Sequence, residues 1–361
     1  MLLVSLVALS ALAAATPVRG AVAPVPPGHA GGHAQVAVSV DRRRDEMSVT
    51  IGPYYVPQAP EMMGDMMMSR RNHEALEGVF AWPVTGSFHA VKLEVVDSAG
   101  RALPRRLLHH TYMVNFDRRQ LVDAISECPF SFGEETGDIA VPATIGMPMQ
   151  AGMRIGIAIM WDNLTGHEVN NAYVRYTFRL NPRRQHPAPM AVLPFFVDSY
   201  NHFGGLDGFD VPPGGRTLTK DFTVATSGHL LAASGHLHDH AVMMRLEDVR
   251  TGHTLVTVRT RRDSTGHTLS VDRPIMGLWR SGPHLKAGHP YRLVVVYDNP
   301  TADTLFNAMG MMGGIYVPDR LRDWPAVDPQ NADYRADMEG YAGVDSLLAD
   351  LEARRPRVAT R

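Results

Sequence analysis

Trp161–Tyr173 reads WDNLTGHEVNNAY, and Tyr297–Met309, offset by 136 positions, reads YDNPTADTLFNAM. Five of the thirteen pairs are identical: Asp162/Asp298, Asn163/Asn299, Thr165/Thr301, Asn171/Asn307 and Ala172/Ala308. Ordinary residue usage gives roughly one identity by chance. Self-similarity at a fixed offset marks a repeated structural unit. Histidines stand some 50–60 residues before each Asp-Asn step, His109-His110 in the first copy and His236-Leu237-His238 in the second. The simplest account is two copies of one β-sandwich, with metal ligands at similar places.

The flanking sequence is strand-like. Short runs such as EMSVTI, HAVKLEVV, MRIGIAIMW, AYVRYTFRL, TKDFTVAT and YRLVVVYDN are separated by turn residues, and Gly 32 and Pro 26 punctuate the chain. That pattern predicts an all-β chain. The polar, proline-bearing stretch 183–190 reads as a linker between sandwiches at 36–182 and 191–318. Residues 319–361 form a polar tail, in which Val344, Leu347, Leu348 and Leu351 at helical spacing predict a short amphipathic helix docked on the body.

Bulk properties narrow the function. A formal net charge of -2 offers no electrostatic case for nucleic acid or an anionic membrane. The apolar run Met1–Ala15 reads as the core of a signal peptide occupying 1–23, followed by a Pro/Gly/Ala-rich tether at 24–35. Secretion or periplasmic export is expected, without a transmembrane span in the mature chain. Cys128 is the sole cysteine, so intrachain disulfides and thiolate metal clusters are excluded. There is no Gly-x-Ser-x-Gly, no phosphate-cradling glycine loop and no His-Glu-x-x-His. The acid pair Glu134-Glu135 is too unspecific to name as catalytic.

The residues that carry chemistry are histidine and methionine. On a regular strand His236, His238 and His240 project to one side. Two imidazoles with a thioether from the Met309, Met311, Met312 cluster make a soft nitrogen–sulfur set that suits copper. His240 is a third ligand, a donor to a ligand, or an exposed neighbour. Met309 otherwise reads as core packing. His109 and His110 can face one ion only if a bulge or bend turns adjacent side chains to the same side; otherwise one points inward and one to solvent. The segment Glu61–Met68 (EMMGDMMM) reads as a pliant apolar plug, with Cu(I) capture as the alternative. His167 and His202 read as solvated.

With these motifs in this order, the chain resembles the copper type II, ascorbate-dependent monooxygenases, the group of the peptidylglycine α-hydroxylating and dopamine β-hydroxylating enzymes. The resemblance implies two tandem jelly-roll β-sandwiches, each holding one copper, facing across a solvent-filled cleft. It implies His236, His238 and Met309 at the oxygen-activating, catalytic copper. It implies His109 and His110 at the electron-supplying copper, where Met160 occupies the family's third histidine position and His167 is a backup. Ascorbate or a similar reductant would reload both ions, and a small molecule or peptide would be hydroxylated. The alternatives are a non-catalytic copper-binding protein of the cell envelope, and a structural or binding double sandwich with degenerate metal sites.

Overall fold

The computed structural model describes residues 34–58, 76–133, 135–163, 165–200, 208–277, 280–341 and 343–354. The signal-peptide run, the tether as far as residue 33, the methionine segment 61–68, His202 and residues 204–207 lie outside the described residues.

Alternation builds the strands. Along Glu46–Val56 the apolar Met47, Val49 and Ile51 are fully buried while Ser48 and Thr50 on the opposite face are not. In the first half, one sheet runs Gln35–Asp41, Glu46–Val56, Val169–Leu180, Gly86–Val96, Ile145–Met149 and Met190–Ala191, with Ile139–Ala140 beside Gly86–Val96. The facing sheet runs Leu76–Ala81, Arg154–Trp161, Leu108–Arg119 and Ser126–Glu127, with Ser131–Gly133 beside Leu108–Arg119. Between them Trp82, Phe88 and Phe178 meet edge-on or tilted, at 5.1–5.9 Å between ring centroids.

The second half repeats the plan. Leu193–Asp198, Gly310–Pro318, Gly228–Leu237 and His284–Leu285 form one sheet. Arg216–Phe222, Tyr291–Tyr297, Ala241–Asp248, Thr254–Arg262 and Thr268–Val271 form the other. Several sheet neighbours in each half are distant in sequence, as Glu46–Val56 beside Val169–Leu180 and Leu193–Asp198 beside Gly310–Pro318, and the chain is an all-β protein of jelly-roll type with a short helical tail, as the sequence predicts.

The duplicated motif is duplicated in three dimensions. Asn163 Nδ2 donates to the carbonyls of Val56 (3.2 Å) and His167 (2.8 Å), while its Oδ1 accepts from the Thr165 amide and hydroxyl. Asn299 makes the same set with Val211 (3.0 Å), Asp303 (2.8 Å) and Thr301. Asn171 and Asn307 both take positive φ, 55° and 58°, a conformation that asparagine tolerates better than most residues.

The halves are joined by packing as well as by chain. Leu121 of the first enters the core of the second, Lys220 pairs with Asp123 at 3.1 Å, and Ile145 and Val192 pack with Leu231 and Val317. The tail returns to the first half. The helix Ala332–Gly340 is capped by Asn331, and Val344–Arg354 buries Val344 and Leu348 in one apolar cluster with Leu76, Tyr112 and Phe116. Among the described residues no helix is long and apolar enough to cross a membrane.

Candidate metal centre

His109 sits at a bulge. Met160 faces His110 and Trp161 faces Leu108, so His109 is the unpaired extra residue of its strand. The bulge supplies the local turn that two adjacent histidines need to face one place. In the second half His236 lies opposite Met311 near the end of Gly228–Leu237, and His238 follows immediately. The His238 amide donates to the Tyr297 hydroxyl at 2.9 Å, and that hydroxyl donates in turn to the Met309 carbonyl.

Docking of the two sandwiches brings all four imidazoles into one cluster. Centroids of neighbouring rings lie 4.8 Å (His109–His110), 5.8 Å (His110–His236), 4.8 Å (His236–His238) and 5.2 Å (His238–His109) apart. The His109–His236 diagonal is 6.4 Å. Four imidazoles bonded to one ion at ~2.0–2.1 Å would place opposite centroids roughly 6.4 Å and adjacent ones roughly 4.5–5.2 Å apart. His236 Nε2 and His238 Nε2 are 3.0 Å apart, close to the roughly 2.9–3.3 Å expected of two nitrogens on one ion.

The surroundings suit ligation. His236 Nδ1 donates to Glu135 Oε1 at 2.6 Å, which leaves the Nε2 lone pair toward His238. Burial, then the charges of the neighbouring histidines, hold His109 and His238 well below the ordinary imidazole range; a backbone contact at Asn307 opposes this slightly for His238. Both are therefore neutral at pH 7, the form that binds metal. His109 Nε2 is buried without a hydrogen-bond partner, which leaves it available as a ligand atom. Burial works to raise the Glu135 carboxyl, but the His236 ring beside it, through its electrostatics and its Nδ1–H hydrogen bond, outweighs this and keeps it below its usual range.

Several expectations are placed differently. The strand ends at Leu237, and His240 takes φ 64° in the following turn, with its amide on the Gly266 carbonyl at 2.8 Å. The regular alternation that would carry three histidines on one face therefore stops after His236. Met160 shares a sheet face with His110, and Met309 is buried between strands with its carbonyl tied to Tyr297. His167 is exposed in the duplicated loop, its ring on the Thr165 carbonyl. Glu135 reads in sequence only as half of an unspecific acid pair, and its contact with His236 is not foreseen there. Glu135 meets His236 across 101 positions, and no local spacing announces such a contact.

Beside His236 a cavity of about 310 Å³ lies between the sandwiches, lined by Phe130, Ile139, Phe195, Met311 and Ile315 among others. Cys128 also borders it; the thiol is buried, contacts the Phe130 carbonyl and is pushed up to about 12, chiefly by burial.

No family model matches the chain, and no curated protein matches it. The solved structures that the chain is distantly similar to include viral ones. The STIV MCP gives a TM-score of 0.31 at 11% identity over 68% of this chain and 94% of that one. The atomic structure of Sulfolobus Turreted Icosahedral Virus gives 0.29 at 11% over 78% and 96%. The infectious bursal disease virus VP2 subviral particle gives 0.23 at 11% over 84% and 77%. Likenesses this distant carry no argument about function.

The resemblance to the copper monooxygenases is corrected here. The neighbours found are capsid jelly-roll proteins, and nothing in these comparisons ties the chain to a copper oxygenase. The geometry also removes the arrangement on which that resemblance rested. The two histidine pairs do not face each other across a cleft as separate centres; they meet in one cluster. Hydroxylation and the oxidoreductase role fall with it.

Proposed function

We propose that the chain is an exported, non-catalytic metal-binding double jelly roll, in which one divalent transition-metal ion is held by His109, His110, His236 and His238 and ties the two sandwiches together. The observation that carries this reading is the convergence of four imidazoles, two from each half, with ring centroids 4.8–6.4 Å apart. An all-nitrogen set suits copper, zinc and nickel, and copper(II) heads the affinity order. Glu135 would orient His236 on the ion, and the Met1–Ala15 run supports export.

The test is metal stoichiometry of the purified chain by elemental analysis after copper(II) loading and desalting. The expectation is that one and the same tightly held equivalent is lost in both His109→Ala and His236→Ala, because each variant removes a ligand from a different half. An ion kept at full affinity in either variant overturns the shared centre. Two tight ions, each lost with one half's histidines alone, would do the same.

A further inference from the structure

A second group of ligand atoms lies on the other end of the strand that carries His236. His229 is directly opposite His284 on the edge strand His284–Leu285, with ring centroids 4.6 Å apart. Asp319 follows the neighbouring strand Gly310–Pro318, and its amide is held by the Ser227 carbonyl at 2.9 Å. One ligand atom from each of His229, His284 and Asp319 lies within 4.8 Å of the others. Seven positions separate His229 from His236, roughly 23 Å along an extended strand, so the two clusters cannot share an ion.

From this juxtaposition we infer that His229, His284 and Asp319 form a separate surface site for a divalent transition-metal ion. The His229 ring donates Nδ1–H to the Gly282 carbonyl at 2.9 Å, which fixes its tautomer and leaves the Nε2 lone pair as the ligand. His284 Nε2 lies 2.9 Å from Asp319 Oδ2. An ion there takes the place of the hydrogen between them, the neutral His284 ring then carrying its proton on Nδ1, and leaves imidazole nitrogen and carboxylate oxygen as adjacent ligands. Arg280 touches the other carboxylate oxygen at 3.4 Å and leaves Oδ2 to the metal. His284 and Asp319 are exposed and His229 only half-buried, so rotamer changes close the set to the roughly 3–3.5 Å spacing an ion requires. Two imidazoles and a carboxylate leave one position open to water or to a further ligand.

The experiment is isothermal titration of the full chain with Zn2+, with circular dichroism confirming the fold of every variant. The expected result is that His284→Ala and Asp319→Asn each lose one equivalent, or at least tenfold in its affinity, while His236→Ala leaves that equivalent intact. Wild-type stoichiometry and affinity in both His284→Ala and Asp319→Asn overturns the site. The reading of the four-histidine centre is tested separately. Should that reading fail, the wild type binds a single equivalent, and His284→Ala binds none. If His284→Ala misfolds, the near-isosteric Asp319→Asn decides alone.

Discussion

Glu135 does more for the histidine cluster than its anonymous place in the sequence suggests. Its carboxylate fixes which nitrogen of His236 carries the proton, and so which one is left for a metal. Replacing an orienting carboxylate of this kind costs about 10–100-fold in metal affinity. Glu135→Gln is therefore expected to weaken copper(II) binding by that factor in a chelator competition, with an unchanged fold; unaltered affinity would mean that the strand alone orients His236. The same residues set an acid limit on the metal-free protein. His109 and His238 are held below the ordinary value of 6.5, so the unfolded chain takes up more protons than the folded one below that pH. Asp198, pushed by burial to about 7, pulls the other way, but by one proton against two. Thermal stability should fall as the pH drops below about 6.5, and more steeply in Asp198→Asn; a flat profile from 7 to 5 would contradict the depressed imidazoles. At this scale the sequence shows which residue types matter, and it misplaces His240 because nothing local reveals that the strand stops at Leu237.

Among the elements, the bulge at His109 and the tail helix contrast in how far they could be read. Helical spacing of Val344, Leu347, Leu348 and Leu351 forecasts an amphipathic helix, and the helix Val344–Arg354 buries the forecast side. A bulge leaves no such pattern, since it depends on the register of the partner strand Arg154–Trp161. Only the chemistry of an adjacent histidine pair hints that one is needed. The asparagine loops were the most legible elements, because their hydrogen bonds close within a few residues and the motif recurs intact. Leu348 is 7% exposed within its cluster, and Leu348→Ala is expected to lower unfolding free energy by about 2–5 kcal/mol in urea titration. A change under about 0.5 kcal/mol, the range of ordinary surface substitutions, would show that the tail is not part of the folded unit.

For the whole molecule, the duplicated halves were readable and their docking was not. Each sandwich is built from patterns that recur along its own strands, whereas the cluster arises from contacts between residues over a hundred positions apart. That is why two separate histidine pairs are the natural expectation from sequence and one cluster of four imidazoles is what the fold brings together. A shared ion binds only the docked, folded chain, so its binding free energy adds to the stability of both halves. At a hundredfold excess over the dissociation constant this amounts to ~2.7 kcal/mol. Calorimetry should show the copper(II)-loaded protein melting later, with both halves shifting together. A shift confined to one transition would place the ion within a single sandwich.

The lone thiol beside the inter-sandwich cavity has a practical corollary. A sulfhydryl this reluctant to ionise stays inert to air and alkylating reagents while the lobes remain closed, since the thiolate is the reactive species. Nature has in effect left a built-in label at the seam, one that reacts only when the seam opens.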